Sequence, residues 1–106
     1  MNDPIVITGI ARTPMGSFQG ALSDMTASQL GAAAIKAAVE RSGLSPEDIQ
    51  EVLMGCVLPA GQGQAPARQA SLGAGLPLST GCTTINKMCG SGMQAAVMGR
   101  NAILAG

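Results

Sequence analysis

Histidine, tryptophan and tyrosine are absent from this chain, and Phe18 is its single aromatic residue. Without histidine, a zinc site built from these residues alone is not expected. Charge is also scarce: 11% of residues are ionisable Asp, Glu, Lys or Arg, six basic against six acidic. That balance argues against nucleic acid or an acidic membrane surface as partner. The three cysteines, Cys56, Cys82 and Cys89, are odd in number and lack CxxC spacing, which argues against a disulfide framework. No apolar run approaches the ~20 residues of a membrane-spanning helix. The start, Met1-Asn2-Asp3-Pro4, has no basic region of the kind that opens a secretory leader. These absences together lead to the expectation of a cytoplasmic protein.

What is present is small and apolar. Hydrophobic residues make up 46% of the 106, with seven Met and fifteen Gly among them. Such side chains allow tightly packed layers. The low charge density further implies that part of the surface is covered by something else. The length suits one domain, and no repeat or linker interrupts it.

Ile5-Val6-Ile7-Thr8-Gly9-Ile10 has the continuous β-branched character of a strand buried on both faces. Arg12–Gly16 reads as the loop after it. Thr26 and Gln29 have capping-box spacing for a helix running to about Ser42, with Gly43 as its C′ residue. Gln29, Lys36 and Glu40 leave that helix one narrow wet stripe. Ser45-Pro46-Glu47-Asp48 has the pattern of a short helical turn. Val52–Leu58 reads as a second buried strand, Pro59–Gln64 as a loop, and Pro66 to about Leu72 as a short helix. A third strand covers Cys82–Lys87 and ends at Cys89, and a mostly buried helix follows from Met93 to Leu104. The resulting β-α-β-α-β-α order implies an α/β fold with three mainly parallel strands alternating with three helices.

Asn86-Lys87-Met88-Cys89-Gly90-Ser91-Gly92 carries the chemistry. A thiol between a strand and a helix meets the free N–H groups and positive dipole end of that helix, which favour a thiolate. Gly90 and Gly92 leave the backbone open to a substrate. The competing reading is a small buried hydrophobe, and that is the better one for Cys56 and Cys82. Lys87 either adds positive charge beside the thiol or points to the opposite sheet face. Gly61-Gln62-Gly63 lacks GxGxxG spacing and a GK[ST] ending, so nucleotide binding there is rejected.

Three segments then resemble the thiolases. They are Arg12-Thr13-Pro14-Met15-Gly16-Ser17-Phe18, Gly61-Gln62-Gly63-Gln64-Ala65-Pro66-Ala67-Arg68-Gln69-Ala70, and Asn86 to Ala95 around Cys89. They occur in the family's order and the resemblance covers the whole chain. It implies the nucleophile-bearing part of a thiolase N-terminal half, residues 1–106, without the loop domain and C-terminal half. Cys89 is then the catalytic nucleophile of an enzyme that joins two acetyl-CoA reversibly into acetoacetyl-CoA and CoA. Coenzyme A thioester is the substrate, and no cofactor is implied. The family's Gly-His-Pro motif, whose histidine activates the nucleophile, and its Cys-Gly-Gly motif do not occur here, so this chain alone is expected to be inactive. The resemblance also implies a homodimer or homotetramer, with Gln64, Arg68 and Asn86 at or near the subunit interface. Other readings are a 3-ketoacyl-CoA thiolase of fatty-acid breakdown and a small non-catalytic interaction protein.

Overall fold

A computed structural model describes residues 3–106, so Met1 and Asn2, on which the reading of no secretory leader partly rests, lie outside it. The described chain runs through helix α1 (Ala27–Ser42), a 3₁₀ turn (Pro46–Asp48), strand β1 (Glu51–Gly55), helix α2 (Pro66–Gly73), strand β2 (Gly81–Ile85) and helix α3 (Ser91–Ala105). The α/β architecture stands, with a smaller sheet than expected.

α1 begins and ends where its sequence says it should. The Thr26 hydroxyl accepts from the Gln29 N–H at 3.1 Å, and Gln29 Oε1 accepts from the Thr26 N–H at 2.9 Å. Gly43 closes it in the left-handed region at φ 76°. Gln29, Ala33, Lys36 and Glu40 form its exposed face. Its other side lies so close to α2 that a Cβ on Gly31 would meet Ala70 Cβ at 3.1 Å, and one on Gly73 would meet Ala32 Cβ at 3.0 Å. Small residues hold these two helices together, as their number predicts.

β1 and β2 pair in parallel, with Glu51 opposite Gly81 and Gly55 opposite Ile85. α2 makes the crossover between them. The core gathers around Val52, Ala74 and Leu76, with Ile35, Val39, Met54 and Cys82 packed against it.

Three expectations need correction. Ile5–Ile10 takes no regular secondary structure and joins no ladder among the described residues. It lies along α1 instead: a Cβ on Gly9 would fall 2.2 Å from the Ala38 carbonyl oxygen, and Arg41 Nη1 donates to the Ile10 carbonyl at 2.8 Å. β-branched residues favour extended backbone, but a strand also needs a neighbour to pair with. α3 is not mostly buried either. Only Ser91 and Ala95 are buried, while Met93 is 74% exposed. The strands are also shorter than expected, ending at Gly55 and Ile85 rather than Leu58 and Cys89.

Candidate active site

β2 delivers the chain to the cysteine turn through a run of polar backbone contacts. The Cys56 N–H donates to the Ile85 carbonyl at 2.8 Å, a backbone bond just past the paired ends of β1 and β2. Asn86 then bridges both. Its Nδ2 donates to the Val57 carbonyl at 3.2 Å, and its Oδ1 accepts from the Met88 N–H at 3.0 Å. Met88 stands at φ 47°, a left-handed conformation uncommon for a residue with a long side chain. The Gly90 N–H closes the turn onto the Lys87 carbonyl at 3.0 Å, and the Gln94 N–H bonds the Gly90 carbonyl at 2.9 Å as α3 begins.

Cys89 sits at the outside of this turn, exposed, two residues before α3. Its backbone forms an isolated bridge with Lys87 across the turn. Cys56 and Cys82 are half-buried. Cys56 lines a small gap between α1, β1 and α2, while Cys82 packs on the core and its thiol contacts the Thr80 carbonyl at 3.4 Å. The structure therefore separates the three thiols by accessibility as their sequence contexts suggest. Lys87 directs its ammonium to Gln94 Oε1 at 3.3 Å, one turn into α3, instead of bonding the sulfur.

The remaining residues singled out from the sequence do not form one patch with Cys89. Arg68 is half-buried and donates to the Thr80 carbonyl at 3.0 Å, beside the start of β2. Asn86 leaves the other end of that strand. Gln64 is exposed ahead of α2, and its carbonyl accepts from Gln69 Nε2 at 2.7 Å. No group of three or more Cys, Asp or Glu among the described residues is placed to hold a metal ion.

Ser91 is the residue that sequence reasoning passed over. It is 3% exposed, and its hydroxyl accepts from the Lys87 N–H at 2.8 Å while donating to the Met88 carbonyl at 2.5 Å. A serine at a helix start directly after Cys-Gly was a visible signal. It lies this deep because Gly55 has no side chain: a Cβ there would fall 2.7 Å from the Ser91 carbonyl carbon and 2.8 Å from the Gly92 nitrogen.

Residues 5–106 match the family profile described as Thiolase, N-terminal domain. The chain belongs to the thiolase family. It is 57% identical over 102 residues to the mitochondrial acetyl-CoA acetyltransferase B of Xenopus laevis, covering 96% of this chain and 24% of that protein. Against the cytosolic acetyl-CoA acetyltransferase ERG10 of Gibberella zeae, identity is 55% over 103 residues, covering 97% and 26%. Among solved structures, the Acat5 thiolase of Ascaris suum in complex with coenzyme A superposes with a TM-score of 0.92 at 44% identity, over 94% of this chain and 26% of that one. The chain thus spans about a quarter of the length of the relatives it matches.

These relatives overturn one expectation. The thiolase relatives from Xenopus laevis, mouse and zebrafish are named as mitochondrial, so the cytoplasmic assignment does not hold. It rested on sparse, balanced charge and the lack of a long apolar run, and neither property distinguishes one aqueous compartment from another. No helix of the described residues is long and apolar enough to cross a membrane.

Proposed function

We propose that this chain is the nucleophile-bearing part of an acetyl-CoA acetyltransferase, with Cys89 as the acyl carrier. The observation that carries this is the placement of Cys89: the one exposed thiol of three, on a hydrogen-bonded turn ahead of α3. The Cys89 thiolate attacks the acetyl-CoA carbonyl, forming a C–S bond. The Cys89 N–H then donates to the oxyanion of the tetrahedral intermediate. Collapse breaks the bond to coenzyme A, which leaves as a thiol after gaining a proton. A second acetyl-CoA, deprotonated at its methyl carbon, attacks the acetyl-cysteine, forming acetoacetyl-CoA and returning the thiolate. One thioester replaces another in the first half, so the step costs little and divides a hard condensation into two easier ones.

The proton acceptor is not a histidine of these residues, because there is none. The family resemblance gives that role to a Gly-His-Pro motif that they lack, which is why the 106 residues alone are proposed to be inactive. In the whole protein, the substrates are coenzyme A thioesters, no cofactor is required, and the working form is a homodimer or homotetramer. The relatives' shared name favours acetoacetyl-CoA over longer 3-ketoacyl-CoAs.

Incubating the full-length protein with labelled acetyl-CoA, quenching in acid and sequencing its peptides tests the reading. One acetyl group is expected per chain, on Cys89. Cys89→Ala is expected to lower acetoacetyl-CoA thiolysis by at least ~10³-fold, since it removes the nucleophile itself. Label on Cys56 or Cys82, or stoichiometric label surviving in Cys89→Ala, would refute the assignment.

A further inference from the structure

We infer that Ser91 is a positioning residue that aims Cys89 by clamping the two residues before it, Lys87 and Met88. The inference rests on the acyl-transfer reading above and extends it to a residue that never meets substrate. Met88, immediately before the nucleophile, stands at φ 47°. A long side chain does not hold that conformation by preference, so the surroundings must impose it. Three contacts do so. Asn86 Oδ1 takes the Met88 N–H, the Ser91 N–H takes the Met88 carbonyl at 3.0 Å, and the Ser91 hydroxyl bonds that same carbonyl.

The Ser91 hydroxyl does more than reinforce one acceptor. It simultaneously receives the Lys87 N–H, so a single oxygen ties the residue two before Cys89 to the carbonyl one before it. Lys87 and Met88 are thereby tied to the first residue of α3. Ser91 is itself immobilised, because it is 3% exposed and packed against the bare backbone of Gly55. The path of force runs from β1 through Gly55 to Ser91, and from Ser91 to the turn. Cys89 makes no contact in this path, which is what distinguishes aiming a nucleophile from creating one.

The consequence is specific. Removing the hydroxyl leaves the thiol present and exposed, but frees Lys87 and relaxes Met88. An error of about 1 Å in a reacting group costs on the order of 10²-fold in rate, whereas binding of a substrate held mainly elsewhere is little changed. The defect belongs in kcat and not in KM.

The test uses the full-length protein carrying Ser91→Ala, with Ser91→Thr as the variant that keeps the hydroxyl. Ser91→Ala is expected to lower kcat for acetoacetyl-CoA thiolysis about 10- to 100-fold with KM within about twofold. Iodoacetamide should still alkylate Cys89 within about twofold of the parent rate, because this small reagent needs an exposed thiol and not an aimed one. Ser91→Thr should restore most of kcat. Amide exchange at Lys87 and Met88 should accelerate about tenfold in Ser91→Ala, reporting the opened clamp directly. Should Ser91→Ala fail to fold, Ser91→Cys, nearly isosteric with a weaker donor and acceptor, takes its place. Unchanged kcat, a loss shared equally by the alanine and threonine variants, or a loss confined to KM would each overturn the proposal. Should the parent protein take no acetyl group on Cys89, the acyl-transfer reading alone fails. The clamp then stands or falls on the amide exchange of Lys87 and Met88.

Discussion

Two β-rich segments, Ile5–Ile10 and Gly81–Ile85, reach different ends in this molecule. Gly81–Ile85 is the less apolar of the two, yet it is the one in a ladder, paired along its length with β1 and covered by α2. Ile5–Ile10 is almost entirely β-branched, yet it runs along α1 with Val6, Ile7 and Ile10 66%, 85% and 73% exposed. Residue type sets what a segment tolerates, but the neighbour decides what it becomes. The consequence reaches the chemistry. The paired segment hands its order on to Asn86, Met88 and Ser91, so Cys89 is held at a defined place. The unpaired one leads through Arg12–Phe18 to a Phe18 that is 92% exposed.

Exchange of backbone amides gives the largest expected contrast. In the 106-residue polypeptide, Val6–Ile10 amides should exchange on the order of 10²-fold faster than those of Leu53–Gly55, because only the latter segment belongs to a ladder. Comparable protection in both would mean that Ile5–Ile10 had found a strand to pair with. Its exposed apolar side chains make it ready for one, as unpaired edges generally are. The low charge content has the same implication, since Met15, Phe18, Leu58, Leu78 and Met93 are all more than two-thirds exposed.

Gly55 tests the ordered half of the comparison. Gly55→Ala places a Cβ against backbone atoms at the start of α3, which cannot yield as a flexible side chain would. Such overpacking costs about 1–3 kcal/mol, measurable by denaturant unfolding of the full-length protein. Activity should fall by more than the lost stability explains, because α3 carries Ser91. An alanine variant with parental stability and rate would show that the turn does not depend on this close approach.

How much of this was legible follows from the range of the interaction. α1 was readable to the residue, since Thr26, Gln29 and Gly43 act within a few positions of the backbone groups they satisfy. The 3₁₀ turn at Pro46–Asp48 and the start of α2 at Pro66 were readable for the same reason. The exposed position of Cys89 just ahead of α3 was legible because a strand-like segment gives way to a helix-like one within a few residues there. That Ile5–Ile10 joins no ladder among the described residues was not legible, because pairing depends on what lies beside the segment in space. Nor was the role of Ser91: its depth is set by Gly55, thirty-six positions earlier, and no local pattern links the two. Met88 at positive φ was hidden for a related reason, since nothing in a methionine announces that its neighbours will hold it there.

The smallest expected effect lies in the turn that feeds β1. The Ser45 hydroxyl donates to the Glu47 carboxylate, and this bond, followed by one from Glu47's own backbone, holds the Glu47 carboxyl below its ordinary value of 4.5. A carboxyl with a lowered folded-state pKa contributes stability that is present above the unfolded pKa. That contribution is lost as pH falls from about 4.5 through the folded value. Glu47 is fully exposed, so water and salt screen the interaction and the effect on unfolding should be slight. Ser45→Ala removes the main cause. Carboxyl titration followed by NMR should then place Glu47 closer to 4.5 than in the parent. The same substitution should leave the amide protection of β1 unchanged above that pH, because the strand is held by β2 and not by the turn before it. Loss of β1 protection at neutral pH would instead make the Ser45–Glu47 turn part of what orders the paired half of the molecule.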